Sequence, residues 1–571
     1  MIDFIEENTL SPFNPTRTQL KNPPKSIYKT RDGKSTHTRL LTKISQHFNF
    51  PDTGNLLHFF EFTNDSNKIK ERQEFFNQIK QIGKKDNEFL RQIKKPREWW
   101  KPEYDVTVVT EDSETFTALK ERGCPSTLLI SETDVSLLES CDVVQVINCN
   151  DYGIALESLP QAVFLKSKDE AYLERYLERL SGWKENIQTL AQGVLSQKLK
   201  ILVEELIPLL NLTASTEDKT LTRDEAELKV QRINEEVSEG MKSLTISGSD
   251  LVAMMSNGKI PQEIKSLIET ALINHNLPRE IVELGMPVKI DEEELEKKLK
   301  EQDSNKFSSK AEKIKENSDI LKEIPKKLKE LSQELLIFDF ITGMSQFIKQ
   351  ETIPPITSNQ IKISNSKNEF LKNPQPISFE LNEEYKCSIL TGANSGGKTT
   401  LLEHLIQLIS MHQIGIPTTG NVELPLFEEV YYFAKNKGSI NKGAFENLLT
   451  QMSRIKPGKR TLILADEIES VTEPGVAGKI ISATAEFYID QNCYLVIATH
   501  LGHEIQKSIP KKTRIDGIEA KGLTKDFELI VDHNPVLGRL AHSTPELIVE
   551  KMANSNQLPY FKHLNDSLKK E

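Results

Sequence analysis

Residues 390–417 read LTGANSGGKTTLLEHLIQLISMHQIGIP, and this stretch decides the fold of the last third of the chain. It contains the pattern G-x-x-x-x-G-K-[ST], after an apolar run typical of a strand and before one typical of a helix. Glycines in such a loop let backbone N–H groups turn toward phosphate oxygens, while the lysine reaches the β and γ phosphates and the hydroxyl binds Mg²⁺. The predicted nucleotide-binding residues are Gly392, Ala393, Asn394, Ser395, Gly396, Gly397, Lys398, Thr399 and Thr400.

Two further strand-like runs end in polar residues. TLILADE delivers Asp466 and Glu467, and an aspartate so placed is the usual second contact to Mg²⁺, while a following glutamate can polarise the attacking water. CYLVIATH delivers His500 at another strand end, where it can sense a γ-phosphate. The alternatives are a merely solvated acidic pair and a histidine that lies at the surface or packs against its neighbours. We predict Glu467 and His500 as catalytic residues and Thr399 and Asp466 as ligands of Mg²⁺.

Length and composition limit the remaining possibilities. At 571 residues the chain should form about three to five domains, and its net charge of -11 excludes a global basic field for nucleic acid. The five cysteines form no C-x-x-C pair, which argues against zinc ribbons and secreted disulfide scaffolds. The N-terminus lacks the pattern of a signal peptide, and no apolar run approaches about 18 residues. We therefore expect a soluble cytoplasmic protein without a membrane partner.

The hydrophobic period changes twice upstream of the loop. Residues 1–35 show no clear period, and the block to residue 102 has the three- and four-residue spacing of amphipathic helices. DVTVVTED, STLLIS and DVVQVIN then alternate with helix-like segments, which predicts a βαβαβ order and a small parallel sheet at about 103–165. From 168 to 350 the pattern is helical again, interrupted by TISGSDLVAMMSNGKIPQE, which we interpret as the tip of a long hairpin.

Two charged stretches each allow a structural and a functional interpretation. Between Lys289 and Glu330 lie twelve lysines and twelve acidic residues, a mixture typical of solvated helices and not of a phosphate-binding tract. KKPREWWKP mixes basic and aromatic residues, as surfaces that bind single strands do. Packing of Trp99 and Trp100 at a domain boundary is the interpretation we favour.

The residues after the loop resemble the MutS family of DNA mismatch-repair ATPases. The family loop reads TGPN-x-x-GK[ST], and its next helix leads into A-Q-I-G-x-x-V-P, matched here by Asn394 and by Gln413, Ile414, Gly415 and Pro417. NKGAFENLLTQMSRI resembles the family segment S-T-F-x-x-E-M, which reaches across a dimer to the partner's ATP. The resemblance covers about residues 361–550, and on it Gln413 joins the predicted cofactor-binding residues.

This chain departs from the family pattern in two places. Gly443 and Ala444 stand where the family has Ser and Thr, so a hydroxyl contact to the partner's γ-phosphate is missing, and Ser439 or Asn441 could replace it. After Glu467 the family continues G-R-G-T-S, whereas this chain reads IESVTEPG and keeps only Thr472. Both changes bear on dimer coupling and on turnover.

HFFEF contains the F-x-E pattern, as Phe59, Phe60 and Glu61. In MutS proper a phenylalanine from such a motif inserts beside a mismatch, the wedge used by proteins that kink DNA. The chain before HFFEF is too short for a separate reading domain, and its neighbours resemble the start of the family's core. We therefore expect these aromatic residues to pack in the core and the chain to resemble a member, of archaeal type, without the mismatch-recognition domain.

The resemblance implies a multidomain α and α/β fold, in which a helical core, lever and clamp carry a small inserted βαβ domain before a C-terminal ABC-type P-loop ATPase domain. The expected domains are an irregular arm (1–35), the first part of the core (36–102), the insertion (103–167), the core, lever and clamp (168–355), the ATPase (356–555) and a tail (556–571).

By resemblance the chain would be an ATPase that uses ATP and Mg²⁺ and forms a homodimer through its ATPase domains. Its arms would close as an ATP-gated clamp on duplex, mismatched or branched DNA, in repair or recombination. An alternative is a clamp on structured RNA or ribosomes. A chromosome-organising ATPase of the SMC type does not fit, because that class splits its motifs between the two chain ends.

Overall fold

A computed structural model gives the structure of the chain. It describes residues 1–15, 18–82, 87–96, 105–121, 123–168, 170–171, 179–211, 221–244, 260–299, 301–302, 317, 320–321, 323–392, 397–435, 442–467, 473–523, 529–541, 544–555 and 558–568. These residues form two compact units, the first from residues 1–91 and 332–571 and the second from residues 92–331.

The elements follow one another in three groups along the chain. The N-terminal group contains α1 (Ile2–Glu7), α2 (Arg31–Ser45), a 3₁₀ helix (Pro51–Phe59), α3 (Ser66–Ile82) and a 3₁₀ helix (Glu88–Gln92). The middle group contains β1 (Val106–Thr110), α4 (Ser113–Glu121), β2 (Ser126–Leu128), α5 (Glu132–Leu137), a 3₁₀ turn (Leu138–Ser140), β3 (Val143–Val146), α6 (Gly153–Glu157), β4 (Ala162–Phe164), α7 (Lys184–Gln192), α8 (Gln197–Asn211), α9 (Arg223–Met241), α10 (Gln262–Asn274), a 3₁₀ turn (Arg279–Ile281), β5 (Val282–Glu283), β6 (Lys289–Ile290) and α11 (Ile324–Phe347).

The C-terminal group supplies most of the first unit. It contains β7 (Thr352–Ile353), β8 (Ile356–Thr357), β9 (Ile361–Ser366), β10 (Ile377–Leu381), β11 (Cys387–Gly392), α12 (Lys398–Ile414), β12 (Thr418–Thr419), β13 (Asn421–Leu424), β14 (Glu429–Phe433), α13 (Lys442–Ser453), β15 (Thr461–Asp466), α14 (Pro474–Asp490), β16 (Tyr494–Ala498), α15 (Gly502–Gln506), β17 (Thr513–Ile518), β18 (Ala520–Leu523), β19 (Leu529–Val531), α16 (Thr544–Ser555) and α17 (Pro559–Leu568).

A five-stranded parallel sheet forms the centre of the first unit. Its strand order is β14-β15-β16-β11-β17, and every neighbouring pair runs parallel. The three inner strands, β15, β16 and β11, are largely apolar and buried because both faces are covered, α12 packing on one face and α14 on the other. The three strands predicted from KCSILTG, RTLILAD and CYLVIATH are thereby confirmed as β11, β15 and β16.

The N-terminal residues are more regular than predicted. Residues 2–7 form α1, and residues 27–30 lie in extended form beside β14, where Tyr28 pairs with Val430 in a parallel bridge. Lys29 N donates to Val430 O at 3.0 Å, and Val430 N donates to Ile27 O at 2.9 Å. The prediction of an irregular arm over 1–35 was therefore wrong for these segments, because the pairing partner lies four hundred residues away and leaves no local period.

Phe60 packs in the core of the first unit, as the sequence analysis predicted. It is 6% exposed, and its ring lies 5.0 Å from Phe76 and 5.9 Å from Phe340 between centroids. Phe59 ends the 3₁₀ helix with 40% of its surface exposed and touches Phe4 edge-on. The prediction of core packing is therefore confirmed for Phe60 and wrong for Phe59, which lies at the rim of the core.

These two rings provide a matched test of the packing. Phe60→Ala should lower the free energy of unfolding by about 3–5 kcal/mol, because it removes a buried ring and leaves a cavity. Phe59→Ala, at the rim, should cost under about 1.5 kcal/mol. Urea unfolding followed by circular dichroism measures both, and equal losses would contradict the assigned burial.

The second unit contains the predicted parallel sheet, with one strand more than expected. The order is β2-β1-β3-β4, all pairs are parallel, and α4, α5 and α6 connect the strands. The βαβαβ prediction is confirmed. The additional strand β4 was missed because three residues, AVF, are too few to show a period.

The rest of the second unit is mostly helical, as predicted, with one short antiparallel pair of strands, β5 and β6. Helices α9 and α10 share a core that includes Ile233, Ile264 and Ile268, all fully buried. Three parts of the sequence analysis lie outside the described residues: residues 245–259 of TISGSDLVAMMSNGKIPQE, both tryptophans of KKPREWWKP and much of the charged stretch between Lys289 and Glu330. The last residues of the first stretch begin α10. No helix among the described residues is both long enough and apolar enough to cross a membrane.

Candidate nucleotide site

The central strands bring the predicted site residues to one edge of the sheet. Ala498 in β16 pairs with Asp466 in β15 on one side and with Leu390 in β11 on the other. Because the three parallel strands are in register at these residues, the segments that follow them lie at the same edge of the sheet. Gly392, Glu467 and His500 therefore meet there, as the sequence predicted.

Helix α12 begins at this edge, after a glycine whose backbone conformation other residues rarely adopt. Gly397 is the N-cap with φ 96°, and a Cβ there would lie 2.9 Å from Nδ1 of His533. Gly392 has φ 129°, and its Cβ would lie 2.4 Å from the carbonyl oxygen of Ile518. Both motif glycines are thus required by the backbone. Four predicted loop residues lie outside the described residues: Ala393, Asn394, Ser395 and Gly396.

Lys398 points back toward the strand edge. Its side chain is 3% exposed, and its ammonium donates to Gly392 O at 2.6 Å and lies 3.4 Å from Nδ1 of His500. Because an ammonium can only donate, Nδ1 of His500 accepts, and the ring proton is then on Nε2. That nitrogen donates to Oε1 of Glu467 at 2.8 Å. Lys398, His500 and Glu467 therefore form one connected chain.

Thr399 and Asp466 present oxygen atoms suited to a hard cation. Thr399 Oγ1 donates to Asp466 Oδ2 at 2.5 Å, while the buried Oδ1 of Asp466 has no hydrogen-bond partner among the described residues. A buried carboxylate oxygen without a partner is costly, and Mg²⁺ prefers carboxylate and hydroxyl oxygens. Burial raises the pKa of Asp466, as does the nearby charge of Glu467. The pair therefore fits a bound Mg²⁺, which would favour the ionised form.

Glu467 occupies a strained position and is held at both oxygens. Its φ of 48° lies in the left-handed region, which is unusual for a glutamate. His500 contacts Oε1, and the ammonium of Lys435 forms an ion pair with Oε2. Burial alone would raise the pKa of Glu467, but the hydrogen bonds from Lys435 and His500 lower it below the usual value. Lys435 was not predicted from the sequence, because no motif identifies a lysine after an edge strand.

A cavity of about 320 Å³ opens beside the first turn of α12. It has apolar walls from Leu371 and Ile377 and adjoins the polar residues of the helix start. The other residues that line it are Asn368, Gln375, Gly397, Lys398, Thr399, Thr400, Leu401, His404 and His533. Thr400 was predicted, but Asn368, His404 and His533 were not, because they come from three separate elements with no shared motif.

Gln413 lies far from this edge, which corrects its prediction as a cofactor-binding residue. It is fifteen residues after Lys398 on one helix, a rise of about 22 Å. Its amide is fully buried, donating to Phe427 O at 2.9 Å and accepting from Phe427 N at 3.3 Å. The motif run also closes α12 on α3, since a Cβ on Gly415 would lie 2.5 Å from Cβ of Arg72. The likeness of this run to the family reflects packing, not nucleotide contact.

Gln413→Ala should therefore leave the KM for ATP unchanged and destabilise the fold. Removing the amide leaves two buried backbone groups of Phe427 unpaired, which should lower the free energy of unfolding by about 1–3 kcal/mol. Thermal unfolding and steady-state kinetics measure the two effects. A large increase in KM with unchanged stability would restore the original assignment.

The segments that depart from the family pattern are described only in part. Gly443 and Ala444 lie in the first turn of α13, whereas Ser439, Asn441 and Thr472 lie outside the described residues. Whether they reach a second subunit stays a prediction.

A curated relative from Pyrococcus furiosus, named DNA-binding protein MutS2, is 30% identical over 573 aligned positions, covering 94% of this chain and 99% of the relative. This chain belongs to the MutS family, in its MutS2 branch. The resemblance inferred from the loop and the QIG run is thereby confirmed. A scan against models of protein families finds no match.

Bacterial MutS2 proteins match over shorter stretches. The protein named endonuclease MutS2 from Caldanaerobacter subterraneus is 24% identical over 371 positions, which are 58% of this chain and 45% of that protein. The protein of the same name from Fusobacterium nucleatum is 26% identical over 181 positions, 30% of this chain and 23% of that protein. This MutS2 chain therefore matches less than half the length of these two bacterial proteins.

Proposed function

We propose that this chain binds and hydrolyses ATP with Mg²⁺ and couples that cycle to the closing of a homodimeric clamp on DNA. The observation that carries the proposal is the convergence of Lys398, Thr399, Asp466, Glu467 and His500 at one edge of a parallel sheet. MutS-family proteins are ATPases, and the similar protein from Pyrococcus furiosus is named DNA-binding.

Each residue of the edge has a role in the proposed hydrolysis. Lys398 exchanges its contact with Gly392 O for the phosphate oxygens, which are better acceptors for an ammonium. Thr399 and Asp466 hold Mg²⁺, which when bound neutralises charge on the phosphates. Glu467, ionised and oriented by its neighbours, accepts a proton from the attacking water. His500 connects Glu467 to the lysine beside the γ-phosphate.

The cavity beside α12 is the proposed place for the base and ribose. Its volume of about 320 Å³ is at the small end of ligand pockets, which typically span about 300–1,000 Å³. The walls of Leu371 and Ile377 suit the face of a purine, and His533 can stack on it. The amides of Asn368 and Gln375 also line the cavity, and both are already hydrogen-bonded within the protein, so they shape its wall.

DNA is the proposed partner of the clamp, in duplex, mismatched or branched form. Because the net charge is -11, contacts to DNA phosphates must come from local basic groups. Binding should therefore depend on the form of the DNA more than on the overall charge of the protein. By likeness to the family, two ATPase domains associate across their nucleotide sites, so that ATP governs whether the clamp is closed.

A binding panel tests this proposal. Plain duplex, mismatched duplex, a four-way junction and ribosomal RNA are titrated at several salt concentrations, with and without ATP, and sedimentation reports the oligomeric state. We expect dimers and ATP-dependent binding to at least one DNA form. Tighter binding to ribosomal RNA than to every DNA would replace DNA by structured RNA, and identical binding with and without ATP would contradict the gating.

A further inference from the structure

Lys435 is a charged residue of the nucleotide edge that no motif identifies. Its ammonium pairs with Oε2 of Glu467, whose side chain is only 10% exposed, whereas Lys435 itself is 49% exposed. An exposed ion pair alone contributes about 0–1 kcal/mol to stability. This pair differs because its acidic member is nearly buried, lies at a left-handed backbone position and already accepts from His500.

The register of the sheet brings Lys435 and Glu467 together. Phe433 at the end of β14 pairs with Ala465 in β15. Lys435 and Glu467 each lie two positions after these paired residues, so the two side chains leave neighbouring strands at the same level. The contact is therefore built into the sheet and does not depend on a chance meeting of two long side chains.

Residues 27–32, which end in the first turn of α2 and are here called the edge segment, lie along the outer edge of β14. Tyr432 N donates to Oγ1 of Thr30 at 3.0 Å, and Ala434 N donates to Oδ2 of Asp32 at 3.1 Å. The second bond fixes the residue immediately before Lys435. Because β14 is the last strand of its sheet, these backbone groups would otherwise face away from the sheet without strand partners.

We propose that Lys435 is a positioning residue for Glu467, and that Asp32 of the edge segment fixes the backbone from which Lys435 reaches Glu467. This inference rests on the proposed ATPase function. Lys435 limits the rotation of the Glu467 carboxylate at a strained backbone position and supplies a donor to the oxygen that His500 leaves uncovered. Lys435 acts through Glu467 and does not itself bind the phosphates.

The test compares five variants of the full chain in steady-state ATP hydrolysis and in nucleotide binding. Lys435→Met removes the ammonium and keeps the length of the side chain, so kcat should fall about 10- to 100-fold, the usual cost of a misplaced catalytic group. The dissociation constant of ATP should stay the same, and Lys435→Arg should restore most of kcat. Lys29→Met is the matched control, since Lys29 forms a 3.8 Å ion pair with Glu429 at the start of the same strand.

Asp32 supplies the second comparison. Asp32→Ala removes the acceptor for Ala434 N and should lower kcat in the same direction, whereas Asp32→Asn keeps an oxygen acceptor and should restore it. Unchanged or higher kcat in Lys435→Met, or weaker ATP binding, would overturn the positioning role. If the wild type itself does not hydrolyse ATP, the proposed function and this inference fail together; if only the Lys435→Met result differs, the positioning role alone fails.

Discussion

Lys398→Ala is expected to abolish ATP binding at concentrations that saturate the wild type. The ammonium is the one cation of the phosphate loop among the described residues. Two hydrogen bonds from it to phosphate oxygens would contribute about 1.5–3 kcal/mol each, so their loss should weaken binding at least about 100-fold. Fluorescent ATP-analogue titration measures the effect. The substitution also leaves Gly392 O without its donor, so circular dichroism must show that the variant is folded.

A second lysine gives the control for this result. Lys507→Ala removes an exposed ion pair with Glu504 of α15. This variant should bind the nucleotide as tightly as the wild type does. If a folded Lys398→Ala protein binds ATP with wild-type affinity, the loop is not the ATP-binding site, even though its sequence matches the pattern.

Glu467→Ala is expected to keep ATP binding and to stop turnover. The carboxylate contacts His500, which in turn contacts Lys398, but Glu467 is not among the residues proposed to hold phosphate, so the dissociation constant should change little. Loss of a general base lowers kcat by about 10²- to 10⁴-fold. Rapid-quench measurement of phosphate release compares the variant with the wild type, and hydrolysis at the wild-type rate would contradict the role of Glu467.

Glu467→Gln refines the interpretation. The amide keeps the shape of the side chain and an oxygen that accepts from His500, but it cannot take a proton from water. Equal losses in Glu467→Ala and Glu467→Gln would assign the effect to the missing charge. Near-normal turnover in Glu467→Gln would assign it to the missing shape, and the residue would then be structural.

The parts of the fold that the sequence predicted are those with a local signal. The apolar runs of β11, β15 and β16 are nearly continuous because both faces of the sheet are buried, and a predicted site residue lies at or just after the end of each strand. The glycines of the loop are required by their backbone angles, so the motif and the geometry report the same constraint. Local patterns therefore located the phosphate edge of the site.

The parts that the sequence missed depend on contacts between distant segments. The pairing of residues 27–30 with β14 joins positions about four hundred residues apart, and the cavity beside α12 draws Asn368, His404 and His533 from three elements. No period or spacing marks such residues. Gln413 shows the opposite error, because a family motif was taken as nucleotide contact where helix length places the residue at the far end.

The central claim is that Lys398, Thr399, Asp466 and Glu467 form one Mg²⁺-dependent site for ATP hydrolysis. Single-turnover hydrolysis of radiolabelled ATP by the purified chain, with Mg²⁺ and with a chelator, tests it most directly. We expect phosphate release with Mg²⁺, none with the chelator, and none in Asp466→Asn, which keeps the shape of the ligand but removes its charge. Phosphate release that is indifferent to both the metal and Asp466, or no release from the wild type, would contradict the account.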